Sequence, residues 1–204
     1  MRLLQYIKIT MNKSFLTILG LILLSLALWS FDLPSGWFHA GSKPKSYNMG
    51  IDKGKGQDGK NAATIKSIDE KINGFGTLMQ QCKPDKYLGK RIKMTGYVKS
   101  ENVTNWAGLW MRVDQTDSRQ PLAFDNMGDR PIKGTTDWTK YEIILDFPNH
   151  ASLIAYGALL DGTGQIWFDQ ITFEILSDFS PSTGSSTIKK TPTVDEPTNL
   201  NFEN

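Results

Sequence analysis

The middle of the chain alternates apolar and polar residues in a way that predicts β-strands. Residues 91–99 place an apolar side chain at nearly every second position, and residues 107–114 and 141–147 repeat this pattern. A period of two is typical of a strand with one buried face. Residues 153–160 are apolar on both faces, which predicts a central strand, and residues 165–176 are rich in β-forming side chains.

Weaker strand patterns precede these segments, and loops separate them. Runs rich in Gly, Pro, Asp and Asn predict turns, among them residues 128–136, and residues 83–88 predict one helical turn. No segment shows sustained helical periodicity, so the eight or nine strands predict an all-β antiparallel sandwich or barrel. The weaker strand candidates are residues 36–40, 46–51, 62–68 and 74–81.

The N-terminal region differs from the rest because it carries a long apolar run. Residues 15–31 contain no charged side chain and follow a positively charged start, which predicts a cytoplasmic N-terminus and export of the domain behind it. The run is short for a membrane span and long for a signal-peptide core. Two interpretations stay open: residues 1–31 are an uncleaved membrane anchor, or a cleaved signal that leaves a secreted domain. The start is expected at Met1 or at Met11, because the stretch MNKSFLTILG from Met11 has the form of an ordinary signal start.

The C-terminal region has a composition opposite to that of the N-terminal run. Residues 177–204 are dominated by Ser, Thr, Pro, Asn and acidic residues. Such a segment is expected to bury too little apolar surface to offset its chain entropy, so it is predicted to be a disordered tail. The globular domain is therefore predicted to span residues 32–176.

Composition favours binding or structure over catalysis. The chain has 204 residues and a net charge of +2, which argues against a nucleic-acid-binding face. A lone Cys82 excludes an internal disulfide, and His39 and His150 leave little material for a metal centre or a catalytic triad. Against this stand 6 Trp, 6 Tyr and 10 Phe. The protein is therefore predicted not to be an enzyme.

Several motifs resemble a known family of domains. Residues 134–145 read GTTDWTKYEIIL, and a loop ending in Trp138-x-x-Tyr141 before an alternating strand resembles jelly-roll carbohydrate-binding modules of the galactose-binding-like type. The closing run 167–174, WFDQITFE, is similar to their last strand. This resemblance implies a jelly-roll β-sandwich, in which Trp138 is expected to fill the core.

A further resemblance covers nearly the whole globular part. Residues 74–80, 106–114 and 122–127 are similar to a widespread bacterial domain that occurs alone as an exported protein or appended to regulators, and that is often labelled transcriptional regulator. The resemblance is specific for fold and weak for function, because jelly rolls host many ligands. No segment resembles a helix-turn-helix.

One strand offers a candidate ligand surface. Leu109, Met111 and Val113 form the better core face, so Trp110 and Arg112 are expected to point the other way. An exposed aromatic ring stacks on a sugar, and Arg, Asn and Gln bind hydroxyl groups. The alternative is structural: Trp110 lies under a loop and Arg112 pairs with an acid. The predicted ligand contacts are Trp110, Arg112, Tyr97, Trp106, Gln80 and Asn126.

Asp169 is a candidate metal ligand. It lies between Trp167 and Ile171 on a face that is expected to be buried, and a buried carboxylate needs a partner. The family resemblance implies a structural calcium near the first and last strands, with Asp32 or Asp52 as further donors. The alternative partner is a lysine or a backbone amide.

The sequence therefore predicts a non-catalytic, exported binding module. Its expected partner is a carbohydrate or another cell-surface polymer, with membrane attachment through the N-terminal helix and no nucleic acid. The alternative is a structural or protein-interaction module of the cell envelope without a small ligand.

Overall fold

One long strand, β5 (Lys90–Asp114), takes part in both layers of the fold. The computed structural model describes residues 31–116, 118–176, 183–184 and 196–203. The first half of β5 pairs with β7 (Ile132–Phe147) and β9 (Gln165–Leu176), and the second half pairs with β8 (Leu153–Asp161) and β6 (Ala123–Asp125). Register shifts between Val98 and Ala107 mark irregularities of the bulge type, which let a strand bend from one layer into the next.

The remaining strands complete two antiparallel layers around one core. Hydrogen-bonded neighbours follow the order β1-β4-β8-β5-β9-β3-β2, with β6 and β7 also pairing with β5. The first layer holds β1, β4, β8, β6 and the second half of β5, and the second holds β2, β3, β9, β7 and the first half of β5. The predicted all-β sandwich is confirmed. The strands not yet named are β1 (Phe38–Gly41), β2 (Tyr47–Asp52), β3 (Ala62–Ser67) and β4 (Phe75–Cys82).

The strand predictions differ from the structure at the long-range pairings. Residues 91–99 and 107–114 belong to one continuous strand, and residues 132–136, predicted to be a loop, begin β7. The short strand β6 was not predicted, whereas the predicted helical turn forms a 3-10 turn at Asp85–Tyr87. Residues 132–136 are held by pairing with residues 100–107, which local composition does not reveal.

The core lies between the inner faces of the two layers. Fully buried side chains from both halves of β5, such as Met94 and Leu109, share it with Tyr156 and Phe168. Trp138 is only half-buried and is not among these residues, so its expected place in the core is wrong. Trp138 lies between Thr136 and Thr139, where the pairing of β7 with β5 changes register, and its neighbours Asp137 and Thr139 are exposed.

The end of the chain packs into this core. Phe202 is fully buried, and its ring lies 5.1 Å from that of Trp37 and 5.2 Å from that of Phe168. The prediction of a disordered tail over residues 177–204 is therefore wrong for residues 196–203, because one buried aromatic side chain anchors a segment whose average composition is polar. Residues 177–182, 185–195 and 204 lie outside the described residues.

The predicted membrane segment is not covered by the described residues. Within the part of the chain that the structure describes, no helix is long and apolar enough to cross a membrane. Residues 1–30, which hold nearly all of the apolar run, lie outside that part.

We predict that Phe202→Ala lowers the free energy of unfolding by about 3–5 kcal/mol, because it leaves a cavity beside Trp37 and Phe168. Urea denaturation followed by tryptophan fluorescence measures the change. Asn201→Ala is the matched control, since Asn201 is exposed and its loss is expected to change stability by less than about 0.5 kcal/mol. Equal stabilities of the Phe202 variant and the wild type would contradict the packing of this segment.

Candidate functional site

The outer surface of the first layer carries a cluster of aromatic side chains. Strand pairing places Phe38, Met79, Gly157 and Trp110 in one row across four strands, so their side chains share one face. Leu109 and Met111, the neighbours of Trp110 along β5, point into the main core. Because side chains alternate along a strand, the face that carries Trp110 points away from the core. We call it the aromatic face: Phe38, Ala40, Phe75, Met79, Trp106, Trp110, Phe124, Ala155 and Leu159.

Trp110 is the most buried aromatic residue of the aromatic face. It points away from the core as predicted, yet only 7% of its surface is exposed. Its indole Nε1 donates a hydrogen bond of 2.8 Å to Thr77 Oγ1, and the Thr77 hydroxyl donates in turn to the carbonyl of Ala158. This chain satisfies the polar edge of the ring, so Trp110 is fixed in one orientation.

Trp106 lies four residues earlier on the same face and is only half-buried. It pairs across the sheet with Asp161, which in turn pairs with Phe75 on β4. Asp161 Oδ1 accepts a hydrogen bond of 2.6 Å from Asn105 Nδ2. This end of the aromatic face therefore combines accessible aromatic surface with polar side chains at its margin.

Arg112 has the acidic partner that the structural alternative proposed. It is 8% exposed, and its Nε and Nη2 atoms lie 2.9 and 2.8 Å from Asp114 Oδ2. Arg112 also pairs across the sheet with Phe124, which places the ion pair at the opposite end of the face from Trp106. Burying a guanidinium costs less free energy when a carboxylate pairs with it than when its charge is unpaired. The paired guanidinium also has a fixed orientation.

Asn126 lies at the margin of the aromatic face and makes a turn. Its Oδ1 accepts a hydrogen bond of 3.1 Å from the Gly128 amide. A side chain at Gly108, between Trp106 and Trp110 on β5, would come within 3.1 Å of the Asn126 carbonyl oxygen. The glycine therefore allows the loop after β6 to approach the aromatic face closely.

Two predicted contacts do not lie on this face. Gln80 pairs with Tyr156 and points into the core, where it is fully buried, so the prediction that it joins Trp110 is wrong. Tyr97 belongs to the first half of β5 and pairs with Lys140 and Asp169 in the second layer. The outer faces of the two layers point in opposite directions, so Tyr97 and Trp110 do not share a surface.

Three aromatic residues of the aromatic face are not among the contacts predicted from the sequence. Phe38, Phe75 and Phe124 are half-buried against Trp110 and its neighbours. Phe124 lies 6.5 Å from Trp110 between ring centroids. Alternation within β4 could have identified Phe75, since it has the same parity as Met79, but the pairing of β4 with β8 and of β6 with β5 is not visible in the sequence.

Asp169 accepts hydrogen bonds from two backbone amides. Its Oδ2 accepts a hydrogen bond of 3.0 Å from the Gln57 amide and its Oδ1 one of 2.7 Å from the Gln170 amide. Asp32 pairs with Lys53, and Asp52 accepts from Trp167 Nε1. Among the described residues, no group of three or more His, Cys, Asp or Glu side chains is arranged to hold a metal ion.

Asp169 instead fastens the loop between β2 and β3 to β9. Its burial, opposed by the two amide hydrogen bonds and helped by the nearby Asp58 and Glu203, raises the pKa of its carboxyl. The alternative of a backbone-amide partner is thus the one that the structure shows.

Cys82, His39 and Asp125 make contacts that belong to the fold. Burial raises the pKa of the Cys82 thiol to about 12, so the thiol is protonated and unreactive at neutral pH. His39 Nε2 lies 2.9 Å from the Met49 carbonyl oxygen. Asp125 accepts a hydrogen bond from the Met127 amide and pairs with Arg130, so it holds a turn.

Comparison with known proteins gives one curated relative. No protein-family model matches the chain. The chain is 43% identical over 169 residues to the uncharacterized HTH-type transcriptional regulator YbfP of Bacillus subtilis. The match covers 82% of this chain and 56% of that protein, so the chain spans a little over half the length of the relative.

Comparison with solved structures gives a similar structure that contains a carbohydrate-binding module. The domain is similar to the Clostridium thermocellum endo-1,4-β-D-xylanase 10B fragment with CBM22-1 and GH10 modules, complexed with xylohexaose. The TM-score is 0.51 and the identity 16%, over 76% of this chain and 29% of that one. At this identity the similarity concerns the fold alone.

We predict that stability depends on the amide contacts of Asp169 and not on calcium. Addition of EDTA is expected to leave the melting temperature unchanged. Asp169→Asn is expected to lower the free energy of unfolding by about 1–3 kcal/mol, because one buried amide then faces an NH2 group. Asp137→Asn, at an almost fully exposed carboxylate on β7, is the control. A melting temperature that calcium raises in the wild type and not in the Asp169 variant would refute this prediction.

Proposed function

We propose that this domain is a non-catalytic binding module that takes a carbohydrate, or a polymer of similar chemistry, on the aromatic face. The single observation that carries the proposal is the cluster of aromatic rings on the outer surface of the first layer. The fold of a carbohydrate-binding module supports it, since the similar xylanase structure is described as a complex with xylohexaose.

The chemistry of the aromatic face suits a sugar. Aromatic rings present a flat apolar surface to the C–H face of a pyranose, and polar side chains at the margin bind its hydroxyl groups. Here Trp106 and Phe75 provide accessible rings beside the Asp161 carboxylate. Trp110 belongs to the same cluster, where it is nearly buried and held by Thr77.

The spacing along β5 favours an oligosaccharide over a monosaccharide. Trp106 and Arg112 lie six residues apart on one strand face, which corresponds to about 20 Å. A single sugar ring is too small to reach both ends of this face. A linear chain of several sugars would contact Trp106 at one end and the surroundings of the Arg112–Asp114 ion pair at the other.

A protein-interaction module of the cell envelope is the alternative. A half-buried apolar face also suits a protein partner, and the relative named as a transcriptional regulator has no stated ligand. Glycan binding separates the two proposals, because the alternative predicts that no sugar binds.

We predict that Trp106→Ala weakens glycan binding about tenfold or more, through the loss of an accessible stacking surface. Binding is measured first on a glycan array that includes linear plant and bacterial cell-wall oligosaccharides, and then by isothermal titration with the best ligand. Trp106 is preferred to Trp110 because truncating the nearly buried Trp110 would also disturb the fold.

The matched control is Trp138→Ala, which removes a half-buried tryptophan from β7 in the second layer. It is expected to change the affinity less than about twofold. A glycan that binds equally well to the wild type and to the Trp106 variant would disprove this site, and the absence of any bound glycan would favour the protein-interaction alternative.

We also propose that the domain is exported, as a membrane-anchored or secreted protein. The support is the charge asymmetry around residues 15–31, since Arg2, Lys8 and Lys13 precede the apolar run. An alkaline phosphatase fusion tests it, and the reporter belongs after Asn204 because residues 196–203 pack into the core. High phosphatase activity is expected. Activity of a cytoplasmic reporter alone would refute export.

A further inference from the structure

The C-terminal segment (residues 196–203) lies in a groove formed by four separate parts of the domain. Trp37 precedes β1, Gln80 lies on β4, Asn61 precedes β3 and Ile171 lies on β9. Each of these residues contacts the segment through a hydrogen bond. None of the strand pairings among the described residues includes the segment. It is therefore bound by the sandwich without being one of its strands.

Gln80 binds the main chain of the segment at Thr198. Its Oε1 accepts a hydrogen bond of 2.8 Å from the Thr198 amide, and its Nε2 lies 3.3 Å from the Thr198 carbonyl oxygen and 3.1 Å from its hydroxyl. Trp37 Nε1 donates a further hydrogen bond of 3.2 Å to the same carbonyl. Gln80 thereby contacts both the N–H and the C=O of one residue, as a neighbouring strand would.

The groove holds the rest of the segment with one apolar pocket and two polar contacts. Phe202 is fully buried between Trp37 and Phe168. The Ile171 amide donates to the Leu200 carbonyl at 3.1 Å, and the Asn61 amide donates to Glu203 Oε1 at 3.1 Å. A buried aromatic anchor combined with directional main-chain contacts is how protein grooves recognise short peptides.

The bound conformation is specific. Asn199 and Phe202 both have positive φ angles, of 49° and 59°. Asn tolerates this region, whereas a bulky Phe adopts it only where its surroundings demand it. The Phe202 amide donates to the Asn199 carbonyl at 3.3 Å, which closes a turn and aims the ring into its pocket. The groove therefore fits a peptide that forms this turn and places an aromatic side chain in the pocket.

The first residues of the segment extend the same contact surface. Glu196 pairs with Lys86 at 2.7 Å, and Glu196 and Pro197 line a pocket of about 130 Å³ with Lys83, Asp85 and Tyr87. Both partners of this ion pair are more than half exposed, so it contributes little to affinity and mainly orients the segment.

We propose that this groove is a peptide-recognition site that is occupied in the structure by the chain's own C-terminal segment. The peptide it takes carries a threonine, an aliphatic residue two positions later, a phenylalanine four positions later and an acid directly after it, as in Thr198, Leu200, Phe202 and Glu203. The site is separate from the aromatic face, because Gln80 points into the sandwich and Trp110 points out of it.

Gln80 has a hydrogen-bond partner besides the segment. The Gln80 Oε1 also accepts a hydrogen bond from the Tyr156 hydroxyl, so one partner of the amide remains when the segment leaves. A peptide of the same pattern restores all other contacts, whereas an apolar peptide without main-chain alignment leaves the buried amide unsatisfied.

The experiment uses the full chain with a protease cleavage sequence inserted within residues 186–194. After cleavage, native mass spectrometry determines whether the C-terminal fragment stays bound, and a fluorescein-labelled peptide of residues 194–204 is added in excess. We expect the labelled peptide to replace the fragment, with a saturable fluorescence-anisotropy signal, while the circular dichroism spectrum of the domain is unchanged.

Peptide variants keep the protein constant and test recognition. Phe202→Ala in the peptide is expected to weaken binding about thirtyfold or more, whereas Asn201→Ala, at an exposed position, is expected to leave it within about twofold. Two results would overturn the proposal. One is a fragment that never exchanges below the temperature of global unfolding, and the other is equal binding of the Phe202 and Asn201 peptide variants.

Discussion

The pairing of one strand with both layers is the constraint on which the remaining structure depends. Each half of β5 contributes every second side chain to the same core, so the intervening side chains of the two halves emerge on opposite surfaces of the sandwich. Irregular pairing between Val98 and Ala107 makes the transition between layers possible. The aromatic face is a product of this constraint, because Trp106 and Trp110 belong to the second half only.

The two proposed binding surfaces differ in their chemistry. On the aromatic face, Trp110 and Arg112 are nearly buried and have internal partners, so the accessible chemistry lies with half-buried rings such as Trp106. In the groove, a buried amide aligns a peptide backbone and an aromatic pocket takes its anchor. The first surface suits a ligand with flat apolar faces, and the second suits an extended chain with a fixed direction.

Sequence reasoning succeeded where the relevant interactions are local. Alternation and β-forming composition located segments of eight of the nine strands, with β5 predicted as two strands, and alternation gave the outward direction of Trp110. It failed for β6, for the start of β7 and for residues 196–203, since each is held by partners far away in sequence. Average composition cannot show that Phe202 finds a pocket, because its burial depends on Trp37 and Phe168.

The sequence by itself determined the fold class and the residues that share a face within each strand, because the side-chain period of a strand is a local property of its backbone. Only the tertiary structure decided which faces meet. In that structure Tyr97 and Trp110 lie on opposite surfaces. Gln80, predicted to be a ligand contact, binds Thr198, and Asp169 accepts hydrogen bonds from two amides. These outcomes depend on pairings between distant segments, which no periodicity along the chain encodes.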